Sequence, residues 1–180
     1  MSEPAAGLDA YREVVAPGTL DLLRRLADRV RGRSLLHVNS TRLGGGVAEM
    51  LHRYVPLFEE LGIATRWEVI SGTEEFFRVT KSFHNALQGQ EQAFSEAMLQ
   101  SYLESNRDNA ARLDLAADVV IIHDPQPAAL IEATARRGRW VWRCHIDVSR
   151  PQRRAWTFLR QFVTKYDGAI FSLPKFAQRL

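Results

Sequence analysis

The segment His37-Val38-Asn39-Ser40-Thr41-Arg42-Leu43-Gly44-Gly45-Gly46-Val47-Ala48-Glu49-Met50 contains the end of a strand, a glycine-rich turn and the start of a helix. Leu35, Leu36 and Val38 form the apolar run expected of a buried strand. After the glycines, Val47, Met50, Leu51, Tyr54, Val55, Phe58 and Leu61 recur at the spacing of one helix face. Glycines let the backbone approach a ligand closely, and the free N–H groups of a helix N-terminus favour an anion such as phosphate. A glycine run after a strand also occurs as a plain tight turn. The surrounding chain decides between these readings.

Downstream, Gly62 stands where a helix cap is expected, and Pro56 predicts a bend that does not end the helix. Ile63–Ile70 reads as a second strand, so the segment opens a right-handed βαβ unit. Thr73 caps a third helical pattern with Phe76, Phe77, Thr80, Phe83 and Leu87 inward and Gly89 at its end. Another helix is predicted over Glu91–Arg112 through Phe94, Ala97, Met98 and Tyr102. With no strand between them, residues 73–112 form a helical insertion of the kind that shapes a cleft. Strand-type runs return at Asp118–His123, which reads as buried on both faces, at Trp140–Ile146 and at Gly168–Leu173. Helices are predicted from Pro125 and Pro127 through Ala135, and from Pro151 through Trp156, Leu159, Phe162 and Val163, and Lys175–Leu180 opens another. Upstream, residues 19–31 give a helix with Leu20, Leu23, Ala27 and Val30 inward, and residues 1–16 a loosely held arm. The pattern predicts a Rossmann-like α/β fold: an open, mainly parallel five-stranded sheet with helices on both faces.

Its 180 residues, 46% hydrophobic and 25% charged, suit a soluble domain with a real core. One cysteine, Cys144, excludes an internal disulfide framework. No apolar run approaches membrane-spanning length and no signal pattern opens the chain, so a cytoplasmic location without membrane association is expected. Residues 134–180 hold 11 Lys/Arg against 2 Asp/Glu, whereas the preceding part holds 13 against 19. That basic third suits an anionic ligand. It lacks the interleaved aromatics and modules of a nucleic-acid binder.

In an open parallel sheet, ligands bind beyond the carboxyl ends of the strands. There this sequence places Asn39–Gly46, His123-Asp124 and His145-Ile146-Asp147, one phosphate-type loop and two His/Asp pairs on one edge. Imidazole and carboxylate suit holding sugar hydroxyls and handling protons. The dinucleotide fingerprint is broken, since Gly44 and Gly46 fit but Glu49 takes the last position. This disfavours an NAD-type cofactor domain. A P-loop signature and short metal-ligand spacings are also missing. Cys144 and His145 point to opposite faces of a strand, which argues against a nucleophilic pair.

The segments HVNSTRLGGGVAEMLHRYVPLFEELGI (37–63), EEFFRVTKSFHNALQG (74–89), VIIHDPQPAALI (120–131) and WVWRCHIDVSRP (140–151) resemble the N-terminal half of the trehalose glycosyltransferring synthases. These are retaining glycosyltransferases of the glycogen/sucrose/trehalose synthase type, with the active site between two Rossmann-like domains. The resemblance implies transfer of glucose from a nucleotide-glucose to glucose, yielding trehalose, without metal or other cofactor. It implies an N-terminal arm and helix over 1–33 and an acceptor-side domain over 34–180. The donor-binding C-terminal domain is missing from these residues, so the chain alone is expected to be inactive. By matching position, Gly44, Gly45 and Gly46 approach the donor diphosphate and transferred sugar. Asp124 resembles an acceptor-binding carboxylate, and His145 the residue lining the donor glucose at its reacting carbon. Asn39, Arg42 and His123 are further candidates for the cleft. Lys81, His84 and Asn85 belong to a distinctive family segment without an assigned role. The uncovered domain surface makes a homodimer an expectation. A non-catalytic sugar-binding module is the alternative.

Overall fold

The computed structural model describes residues 7–177. Its strands are β1 (Ser34–Asn39), β2 (Ala64–Val69), β3 (Val119–His123), β4 (Arg139–Cys144) and β5 (Gly168–Phe171), all parallel, in the spatial order β2-β1-β3-β4-β5. Strand alternation sends Leu36 and Val38 of β1 to one face and Leu35, His37 and Asn39 to the other. All five are buried.

Helix α2 (Gly46–Glu60) crosses back over the His37 face to reach β2, burying Ala48 and Leu51 against Trp67. It runs continuously through Pro56, and Gly62 closes it in the left-handed conformation at φ +79°. Its predicted stripe holds except at Tyr54, which is 45% exposed and packs edge-on against Phe58. The opposite face carries most of the core. There α3 (Glu74–Leu87), α4 (Glu96–Arg112) and α6 (Arg153–Val163) pack Phe76, Phe83, Tyr102, Leu159 and Phe162 on Leu36, Val120, Ile122, Trp140 and Trp142. Thr73 caps α3 by accepting from Phe76 N–H.

Several boundaries depart from the sequence reading. Helix α4 begins at Glu96, not Glu91, because Ser95 caps it by accepting from Met98 N–H. Phe94 still reaches the core from the preceding loop, stacked on Phe83. The helix expected over 125–135 shrinks to one turn, α5 (Leu130–Ala133). The carbonyl of Pro125 accepts from the Tyr102 hydroxyl and that of Gln126 from the Asn106 amide, so α4 holds this segment as turns. β3 is not buried on both faces: Val119 and Ile121 are only partly covered, and further along the same face Ile170 is 47% exposed. Helix α2 spans only the β1–β2 side of that face, as its buried contact with Trp67 shows.

Residues 7–16 are docked rather than loose. Leu8 is 4% exposed, and its N–H donates to Glu60 Oε2 at 2.8 Å. Helix α1 (Thr19–Asp28) buries Leu20 and Ala27 but leaves Leu23 exposed, and it ends before Val30, which is exposed in the turn that follows. Pro174–Phe176 form a single 3-10 turn where a helix opening was predicted, and residues 1–6 and 178–180 lie outside the described residues. Among the described residues, no helix is long and apolar enough to cross a membrane.

Candidate functional site

The chain moves from β1 outward to β2, then crosses to β3 on the other side, so the carboxyl ends of β1 and β3 flank the point where strand order reverses. Crevices for ligands open at such points. Here a cavity of about 200 Å³ is lined by Asn39, Ser40, Thr41, Gly44, Gly45, Gly46, Val47, Ala48, His84, His123, Asp124 and Gln126. Gly44 and Gly45 have φ +72° and +83° with open space where a Cβ would stand, so conformation and not crowding calls for glycine. Gly45 provides no side-chain cap for α2, which leaves the first-turn N–H groups and the positive helix end at the cavity.

Two of the candidate side chains are committed to the protein. Asn39 accepts from Trp67 Nε1 at 2.8 Å and donates to the Thr41 carbonyl at 2.7 Å, so it shapes the loop. Arg42 lies over the Trp67 indole, 4.4 Å from its centroid, and donates to the Trp67 carbonyl, outside the cavity lining. His52 also meets the Arg42 carbonyl and the Trp67 ring. Trp67 thereby anchors the glycine loop from β2, a role that strand alternation alone does not reveal. Lys81 is exposed and Asn85 half-buried, and neither lines the cavity, whereas His84, one turn on along α3, does.

Asp124 sits at φ 63°, the described non-glycine residue with a left-handed backbone. Its Oδ1 accepts from the His145 N–H at 2.7 Å, and its carbonyl accepts from Trp142 Nε1. Burial lifts its carboxyl to about 6, against the lowering by that N–H and by the Arg143 charge. His145, just past β4, lies outside the 200 Å³ cavity but bonds ring to ring with His123 at 2.9 Å. His123 in turn meets His37 at 2.9 Å. Burial holds His37 and His145 down to about 4 and His123 lower still, with Arg143 adding to the effect on His123 and His145. His37 was not among the expected site residues; the only signal was a histidine in an otherwise apolar strand. Arg143 donates to Ser172 Oγ, while its Nη1 is buried without a partner among the described residues.

Cys144 faces the other side of β4, fully buried, with its thiol pushed up to about 12. The three histidines pair nitrogen to nitrogen instead of converging on a point, and among the described residues no group of His, Cys, Asp and Glu is arranged to hold a metal. A larger groove, about 540 Å³, lies at the opposite edge of the sheet near Leu35, Val119 and Gly138. Its charged groups are already paired, Arg33 with Asp118 and Arg139 with Asp167, so the strand-end cavity is the better chemical site.

A family model described as the N-terminal domain of trehalose synthase matches residues 37–178. The trehalose synthase of Thermococcus litoralis is 53% identical over 173 residues, which cover 95% of this chain and 42% of that protein. The trehalose synthase of Pyrococcus horikoshii is 51% identical over the same shares. A trehalose phosphorylase of Pleurotus pulmonarius is 30% identical over 84% of this chain and 24% of its own length. The chain therefore spans less than half the length of these curated relatives.

Proposed function

The chain belongs to the trehalose synthase N-terminal domain family, and from that premise we propose that it is the acceptor-side half of a retaining glucosyltransferase that makes trehalose from a nucleotide-glucose and glucose. The observation that carries this reading is the strand-end cavity, with an uncapped helix N-terminus and glycine loop on one side and Asp124 on the other. One side suits a diphosphate and the other a sugar hydroxyl.

In the proposed transfer, the bond between glucosyl C1 and the diphosphate oxygen breaks, and its electron pair leaves with the nucleoside diphosphate. The anomeric hydroxyl oxygen of the acceptor bonds to the same face of C1, and its proton passes to the departing phosphate. The loop N–H groups of Gly44, Gly45 and Gly46 would face the diphosphate. Asp124 would hold an acceptor hydroxyl through the oxygen that His145 leaves free, and His145 would line the transferred glucose. This chemistry calls for no metal. Cations to clamp the diphosphate, and a nucleotide pocket, are assigned to a second domain facing this edge, in keeping with relatives more than twice as long as the matched stretch.

The 180 residues alone are accordingly expected to form no trehalose and to bind glucose in the millimolar range, near −4 kcal/mol. The test is an assay with UDP- or ADP-glucose plus glucose, alongside titrations with glucose, both nucleotide sugars and NAD. Steady trehalose formation would overturn the two-domain reading. NAD binding tighter than any sugar would overturn the sugar site.

A further inference from the structure

Three imidazoles cross the α2 face of the sheet in a row: His37 on β1, His123 at the end of β3 and His145 beyond β4. Nδ1 of His37 lies 2.9 Å from Nε2 of His123, and Nδ1 of His123 lies 2.9 Å from Nε2 of His145. His37 and His123 are 2% and 3% exposed, whereas His145 is partly open at the strand-end edge. The inner end of the row, Nε2 of His37, is buried without a partner among the described residues.

Although His123 lines the cavity, His37 and His145 occupy both of its ring nitrogens. It has no ring nitrogen left to bind a ligand. Each ring is neutral at pH 7, because burial disfavours the charged form, and each therefore carries one N–H. One proton per ring and one bond per gap permit two arrangements. Either every proton is on Nε2, pointing inward, or every proton is on Nδ1, pointing outward. Any mixture sets two N–H groups, or two lone pairs, against each other at 2.9 Å. The inward arrangement buries an unpaired N–H at His37, and an orphaned buried N–H is the rarer defect in proteins. The outward arrangement leaves only a lone pair there.

We propose that His123 is a positioning residue: held from beneath by His37, it fixes His145 with its proton on Nδ1, so that His145 offers a single hydrogen-bond donor at the strand-end edge. What that donor meets, a hydroxyl or ring oxygen of a hexose, rests on the function proposed above. The polarity of the row does not. A free histidine side chain prefers its proton on Nε2, so His145 is held against its own preference, and that makes the state recognisable.

The experiment is heteronuclear NMR of the 180-residue chain with labelled histidine, which has five rings to resolve. The nitrogen and Cδ2 shifts report the tautomer of each ring, and couplings across N–H···N bonds report the ring-to-ring pairs. His37, His123 and His145 are expected to carry Nδ1–H, with both couplings present. In His123→Phe, His145 is expected to return to mainly Nε2–H. His123→Gln, which keeps a donor and an acceptor at this position, should restore part of the wild-type state. A wild-type His145 carrying mainly Nε2–H overturns the proposal even if no variant folds, and so does a His145 tautomer unmoved in a folded His123→Phe chain. Failure of the sugar titrations alone would count against the glucosyltransferase reading and leave the row intact.

Discussion

At the scale of single residues, Asp124 combines a left-handed backbone with a buried carboxyl, and both follow from its place between β3 and β4. Its backbone N–H donates to the Arg143 carbonyl and its Oδ1 takes the His145 N–H, so the turn is pinned from the neighbouring strand. Local strain of this kind collects at functional sites. The carboxyl titrates near 6 when folded and near 3.8 when unfolded, so folding retains a proton across that window. It therefore contributes stability that is complete below pH 3.8 and lost as pH rises through 6. Asp124→Asn keeps an acceptor for His145 but cannot titrate. The variant is expected to fold, and its stability should fall more steeply with acid than wild type, by about one proton at pH 5. Urea midpoints measured from pH 4 to 7 would show this, and parallel curves would mean that the carboxyl is not the titrating group.

Elements are held by caps and close approaches that can be tested singly. Ser95→Ala removes the side-chain acceptor of the α4 N-terminus and should cost about 1 kcal/mol. Glycines that look alike in sequence should behave differently. At Gly138, before β4, φ is +70° and an added Cβ would strike the carbonyl oxygens of Ala117 and Asp118. Backbone cannot swing aside, so Gly138→Ala is expected to cost about 3 kcal/mol or more. At Gly44 the dihedral is equally left-handed but the space is open, so Gly44→Ala should cost only about 1–2 kcal/mol. Denaturant unfolding of both variants checks the contrast, and equal losses would contradict it.

For the whole molecule, the strand-end edge should also set the response to acid. Unfolded histidines take a proton near pH 6.5, whereas His37 and His145 do so only near 4, and His123 and His84 are also lowered, mainly by burial. Their contribution is complete above pH 6.5 and is lost as pH falls through 4. Asp124 opposes it. The net expectation is uptake of about two protons on unfolding at pH 5, so the chain should lose stability from pH 6.5 downward, well before ordinary carboxylates titrate. A flat stability profile between pH 6.5 and 4.5 would rule out the buried neutral rings. On the same face, partly covered Val141 and exposed Ile170 on the edge strand leave apolar surface free. We expect some self-association there, to be read as a concentration-dependent mass in sedimentation.

The sequence by itself determined the strand–glycine loop–helix unit, the five-strand α/β pattern and the convergence of three loops on one edge. Those depend on local periodicity, on caps such as Thr73, and on the rule that parallel strands deliver their carboxyl ends to one side. It misplaced what depends on partners distant in the chain. Pro125–Ala135 reads as helix until α4 takes its carbonyls, and Arg42 reads as a cleft cation until Trp67, 25 residues on, claims it. Likewise His37 reads as one polar residue in an apolar strand, because its partner lies 86 residues away. Only the β1–β3 and β3–β4 registers bring the three imidazoles into hydrogen-bond reach. Hydrogen-bond direction is a property of such pairings between strands, and no local pattern encodes it.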